Sequence, residues 1–180
     1  MIKLLGFFAG IVLLTAVLPA IADSKDPEQV FEQRPSSAID AAEVVAIQLN
    51  AMQLYNQDPQ LSMATVFSFA SPQNRAQTGP LARFSEMIAT GYPSLLNHKD
   101  ARLVSSVVAG DRAMQPVVVT DKKGGQLLYV FLLSKQPCGP EESKRCWMTD
   151  SVSLRGKAKP LTTPDALPEE SQSPTGTVRI

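Results

Sequence analysis

The sequence predicts an α+β fold in which N-terminal helices pack on one face of a curved four-stranded antiparallel sheet. Three observations predict it. Apolar residues recur at three- and four-residue spacing between Ala38 and Ile88. From Arg102 onward the period falls to two, over four segments separated by turn signals. Helices precede strands instead of alternating with them, which is the order of α+β architectures.

The first helix is expected over 37–56. Ala38, Ala42, Val45, Leu49 and Met52 form its apolar stripe, and Asp40, Glu43, Asn50, Gln53 and Gln57 its polar one. Ser37 followed by Asp40 resembles a capping pattern, and Pro59 lies just past the stop. A second helix fits 60–69. Ser71-Pro72-Gln73-Asn74 reads as a turn. A third fits 80–90, with Pro80 in its first turn and Leu81, Phe84, Met87 and Ile88 as its stripe. Tyr92 to His98 reads as one more turn.

The four strands are expected at Arg102–Ala109, Arg112–Asp121, Gln126–Lys135 and Arg145–Leu154. Pro116 interrupts the second and argues for an edge or a bulge there. The third, QLLYVFLLSK, is apolar on both faces and is expected to be central and covered twice.

Residues 1–22 read as a secretory signal peptide: Lys3, an apolar run from Leu4 to Leu18, the helix breaker Pro19, then Ala20-Ile21-Ala22 as the cleavage site. The expected compartment is periplasmic or secreted, with cleavage after Ala22 and no membrane attachment afterwards. The alternative is an uncleaved anchor, since the run counted through Ala22 is just long enough to span a bilayer. Residues 23–35 are a polar lead-in, 36–155 the single folded domain, and 156–180 a Pro-rich tail expected to be disordered. Cys138 and Cys146 flank a charged, turn-rich loop. In an oxidising compartment they are expected to pair as a structural disulfide. The other reading, a redox or metal pair, lacks C-x-x-C spacing and a nearby His.

Composition excludes several functions. Seventeen basic side chains balance seventeen acidic ones with no basic block, which argues against a nucleic-acid partner. One His and two Cys do not build a zinc site unless carboxylates supply most ligands. No cofactor fingerprint, P-loop, G-x-S-x-G or H-E-x-x-H occurs, so no cofactor or metal is predicted.

Two stretches, FSFASPQNRAQTGPLARFSEMIATGYPSLLNH (67–98) and YVFLLSKQPCG…CWMTDSV (129–152), resemble the domain-of-unknown-function family 4864. The carrying motifs are S-P-x-N-R-x-x-T-G-P at 71–80 and W-x-T-D at 147–150, and the likeness covers roughly Ala38 to Val152. Ser151 departs from the Gly expected after W-x-T-D. The family is similar in helix–strand order to nuclear-transport-factor-2-like, or cystatin-like, cones. The resemblance therefore implies a curved sheet wrapped around a helix, often with a pocket, and no assigned activity.

The candidate site residues follow. Asn74, Arg75 and Thr78 lie in a polar segment. They suit either an anion-binding loop or a structural corner in which Thr78 caps the third helix and Arg75 pairs with Asp150. His98 is the one side chain with an ordinary pKa near neutrality, and Asp150 and Tyr129 are its candidate partners. Its position between a helix and a strand predicts solvent as its neighbour. A buried Asp150 needs a cation such as Arg75 or Arg83. Tyr129 and Trp147, with Phe67, Phe84 and Phe131, either line a pocket or fill the core. The leading expectation is a non-catalytic envelope domain that binds a small ligand or another envelope protein. The alternative is a cone-superfamily enzyme, isomerase or hydrolase-like, using His98 with Asp150.

Overall fold

The change of period at Arg102 separates helices from sheet in the computed structural model, which describes residues 27–138 and 144–158. The signal-peptide and tail expectations fall outside those residues, except at the tail's first positions.

Among the described residues five helices come first: α1 (Pro27–Phe31), α2 (Ala41–Gln53), α3 (Pro59–Ser68), α4 (Pro72–Thr78) and α5 (Leu81–Gly91), followed by a 3-10 turn at Pro93–Leu95. Side chains set their starts. Asp40 accepts from the Glu43 amide at 2.8 Å and Asp58 from the Leu61 amide at 2.8 Å, each satisfying one orphan donor of a helix N-terminus. Ser71 caps α4 through the Asn74 amide.

Three expectations need correction here. The cap of α2 is Asp40, so the helix begins later than residue 37. The 71–78 segment is a helix, α4, because Ser71 and Pro72 are a cap and a first-turn proline as well as a turn signal. The polar lead-in contains α1, which buries Phe31 in the core and whose Phe31 carbonyl accepts from Thr65 Oγ1 at 3.0 Å. Val30 packs against the same core, so two apolar side chains and a buried hydrogen bond dock that turn.

The sheet is antiparallel and open. Its strands are β1 (Asp100–Leu103), β2 (Val107–Ala109), β3 (Arg112–Thr120), β4 (Gln126–Pro137) and β5 (Arg145–Lys157), in the order β1-β3-β4-β5 with β2 also on β3. The expected first strand is thus two short ones, and the sheet has five strands where four were expected. Pro116 explains the break. Its carbonyl accepts from the Val104 amide at 2.9 Å, so its N-H-less edge faces that neighbour, and pairing lapses there. The buried Gln115 side chain fills the lapse by donating to the Val104 and Pro116 carbonyls.

β5 carries two register shifts against β4, at Leu128/Tyr129 and at Leu132/Leu133. The second makes Asp150 the extra residue between Thr149, opposite Leu133, and Ser151, opposite Leu132. The first makes Arg155 the extra residue, and Gly156 beside it takes a φ of 129°, which glycine adopts freely. On its other edge β5 meets the segment after α3: Thr149 N-H donates to the Phe69 carbonyl and Ser71 N-H to the Thr149 carbonyl.

The core lies between the helices and the inner sheet face. Val44, Val45, Leu49, Met52, Met63, Phe84 and Ile88 meet Val117, Val119, Tyr129, Phe131 and Leu133. Among the described residues the outer face is covered only in part: Val130 and Ser134 of β4 are buried, while Leu132 between them is exposed. Val107, Met114 and Leu132 are in register across β2, β3 and β4, and all three are exposed.

Candidate functional site

The helical stripe of α5 does not close fully on the sheet. Phe84, Met87 and Ile88, with Tyr92 beyond the helix end, lie at three- and four-residue spacing. Opposite them stand Phe131 of β4 and the Thr149–Val152 stretch of β5. Met52 of α2 and Val66 of α3 complete the apolar wall. Asn74, Gln77 and Thr78, one face of α4, border it. Between these elements is a cavity of about 170 Å³.

Its polar groups fall into two sets. One is structural. Thr149 Oγ1 donates to Gln48 Oε1 at 2.7 Å, Gln48 Nε2 to the Val66 carbonyl at 3.2 Å, and Asn74 Nδ2 to the Thr149 carbonyl at 3.0 Å. Tyr92 OH donates to the Val152 carbonyl at 3.1 Å. Among the described residues, no fully buried side-chain nitrogen or oxygen lacks a partner. The second set is the half-buried Asp150 with the exposed Ser151 and Gln77. These three also border an outer groove with Arg112 and Leu132, so the β5 bulge separates the two spaces. Asp150 Oδ1 accepts from Ser134 Oγ at 2.8 Å.

The candidate residues divide accordingly. Asn74, Thr78 and Asp150 border the cavity. Thr78 caps no helix, since Pro80 occupies the N-cap of α5 without a side-chain bond; its hydroxyl donates back to the Asn74 carbonyl at 2.8 Å. Arg75 does not meet Asp150. Its guanidinium donates to the Ala70 and Ser68 carbonyls at 2.8 and 2.9 Å, closing the C-terminus of α3, and lies 5.7 Å from the Phe67 ring centroid. Arg83 is exposed and packs over Gly79, whose φ of 84° turns the chain from α4 into α5.

Tyr129 and Trp147 belong to the core cluster and do not line the cavity. Tyr129 packs against Tyr92, and burial pushes its hydroxyl above the ordinary value of 10.0 against an opposing hydrogen bond with Ser94. Lys135 Nζ stands 5.2 Å from the Trp147 ring centroid. Phe84 and Phe131 are the aromatics that reach the cavity, with Tyr92, which was not among the candidates. Its place four residues after Ile88 was the available signal.

His98 is buried, not solvent-facing. Its Nδ1-H donates to the Leu95 carbonyl at 2.7 Å, and it borders a separate cleft of about 120 Å³ with Leu49, Asn50, Gln53 and Asp100. His98 and Asp150 therefore face different spaces.

Cys138 and Cys146 are joined by a disulfide between the ends of β4 and β5. No helix of the described residues is long and apolar enough to cross a membrane. No three His, Cys, Asp or Glu side chains converge among them as a metal would require.

A family model described as domain of unknown function (DUF4864) matches residues 35–161, well over half of the chain. Comparison with curated proteins and with solved structures finds no match.

Proposed function

This chain belongs to the domain-of-unknown-function family DUF4864, and from that premise we propose a non-catalytic, exported domain that binds a small, largely apolar ligand. The observation that carries the reading is the cavity between α5 and β5. It is walled by Met52, Val66, Phe84, Ile88 and Phe131, and its interior polar groups are already bonded to one another. A volume of about 170 Å³ resembles the ~150 Å³ apolar cavity that admits benzene. The ligand is thus a small molecule or one short apolar group of a larger one.

The open antiparallel sheet with helices over its inner face suits a cystatin-like cone, in which a core that stops short of filling is a binding site. Export is supported by the disulfide, which forms in oxidising compartments, and by the signal-peptide pattern of residues 1–22. We place the mature chain in the periplasm or outside the cell, starting at Asp23.

The test is thermal unfolding of the mature chain with benzene, benzyl alcohol and indole. The expected result is a dose-dependent rise in Tm that Met87→Trp, which fills the cavity from α5, abolishes. Absence of any rise in the parent overturns the reading. Mass spectrometry of the exported chain tests the compartment, and an intact Met1 in a membrane fraction overturns it.

A further inference from the structure

We infer that the outer face of the sheet pairs with a second copy of this chain, across a two-fold axis that runs along the strands between β3 and β4. The inference is independent of the cavity reading, which concerns the inner face.

Strand alternation puts Arg112, Met114 and Pro116 of β3 on the outer face, in register with Ser134, Leu132 and Val130 of β4. Val107 of β2 continues the Met114 row on one side, and Ser151 of β5 on the other. Val130 and Ser134 are buried, so the open part of the face is that row. Val107, Met114 and Leu132 are 57, 38 and 40% exposed. The row beyond it, Pro116, Val130 and Ser153, carries no charge either. A sheet face left to water is ordinarily polar, and a contiguous exposed apolar row marks a contact surface.

Two charges beside the row choose its occupant. Arg112 is exposed, and among the described residues nothing pairs with its guanidinium. Asp150 lies on the other side of β4. Its Oδ1 accepts from Ser134 Oγ at 2.8 Å, which brings the carboxylate to the outer face, and no described cation forms an ion pair with it. The face therefore presents a cation on β3 and an anion on β5. A partner of uniform charge would satisfy one of them and oppose the other.

A second copy satisfies both. The two-fold axis reverses the strand order, so β3 lies over β4 of the other copy and β2 over its β5. Met114 then meets Leu132 of the second copy, Leu132 meets its Met114, and Val107 meets its Ser151. Each Arg112 comes over Ser134 of the other copy, within reach of the carboxylate that Ser134 holds. An open row across four strands about 4.8 Å apart makes an interface at the low end of the size range, so the dimer is expected to dissociate at micromolar concentration.

The experiment is sedimentation equilibrium of the mature chain at pH 7, from about 1 to about 500 μM, a range that brackets such an affinity. The mass is expected to rise from one chain to two and to stop there. Leu132→Glu, a change at an exposed position, is expected to sediment as one chain throughout. Arg112→Asp and Asp150→Arg are each expected to weaken the dimer roughly tenfold or more, because like charges then meet. Mixed in equal amounts, these two variants are expected to dimerise with each other, since every crossed contact again joins opposite charges. A parent that stays a single chain overturns the inference, as does growth past two chains. A dimer that survives Leu132→Glu overturns this face as the interface. Failure of the mixture to recover overturns the charge pairing and with it the two-fold arrangement. Circular dichroism of each variant checks its fold, and if Asp150→Arg does not fold, the parent and Leu132→Glu decide the matter.

Discussion

Thr149 Oγ1 donates a 2.7 Å hydrogen bond to Gln48 Oε1, tying β5 to α2 across 101 residues of sequence. Both side chains are buried, and the backbone of Thr149 is held as well, by Phe69, Ser71 and Asn74. Thr149→Val keeps the shape of the side chain and strands the Gln48 oxygen. It is expected to cost about 1–3 kcal/mol in urea unfolding, the penalty of a buried acceptor without a donor. The double variant Gln48→Leu/Thr149→Val should lose less than the sum of the two single changes, because each single change already breaks the bond. Strict additivity would show that the pair is not coupled.

Asp58 begins α3 through a single hydrogen bond to the Leu61 amide. Asp58→Ala is expected to lower stability by about 1 kcal/mol, and Asp58→Asn, which keeps an oxygen acceptor, by much less. Denaturant midpoints at constant m measure the difference. An alanine variant as stable as the parent would show that Pro59 alone starts the helix.

The disulfide closes a loop with a sequence separation of 8. Removing it in Cys138→Ser/Cys146→Ser is expected to cost about 2–3 kcal/mol through the entropy of the unfolded chain. Reduction of the parent should lower its stability comparably. A thiol titration that finds two free cysteines in the oxidised protein would contradict the pairing.

The β3–β4 hairpin is organised by Asp121. The Gly125 amide holds its carboxyl below the ordinary 3.8, desolvation opposes it, and the amides of Lys123 and Gly124 and the Lys123 charge add to the lowering. Its Oδ1 accepts from the Lys123 and Gly125 amides at 2.8 and 2.9 Å. A depressed folded pKa means that the unfolded chain protonates first. The stabilisation is therefore complete above the unfolded value and is lost as pH falls through the folded one. Carbon-detected NMR titration should find the Asp121 carboxyl more than half ionised at pH 3.8, with exchange of the Lys123 and Gly125 amides quickening at lower pH. In Asp121→Asn that quickening should lose its pH dependence.

The elements that sequence could place are those whose signal is local. The stripes of α2 and α5, the prolines at 59 and 80, and the alternation of β3 to β5 all act within a few residues of themselves. Their boundaries moved by only a few positions when caps such as Asp40 were seen. α1 and α4 escaped notice because each is short and polar apart from an anchor. Val30 and Phe31 are adjacent apolar residues in a charged segment and set no helical period, and α4 buries no side chain fully. A helix without a stripe has no period to read.

The site was legible only in part, for the same reason. Asn74 and Thr78 read as one polar segment, but nothing in the sequence sets Asp150 on the border of the same cavity. The Asp150 bulge depends on how β5 registers against β4, and no spacing within β5 records that. Arg75 was matched to the wrong partner because its carbonyl acceptors are backbone atoms, which every residue has. His98 was expected in solvent because its flanks are polar, whereas the Leu95 carbonyl and α2 enclose it.

By itself, then, the sequence determined the α+β class, the helix-then-strand order, the pairing of the cysteines and the family, because periodicity, capping and motif are short-range properties of a chain. The tertiary structure decided that the first strand breaks opposite Pro116, that Val107, Met114 and Leu132 line up exposed across three strands, and that Asp150 and His98 border separate spaces. Those outcomes turn on which backbone groups find partners across 20 to 100 residues, a competition settled only when the whole chain packs.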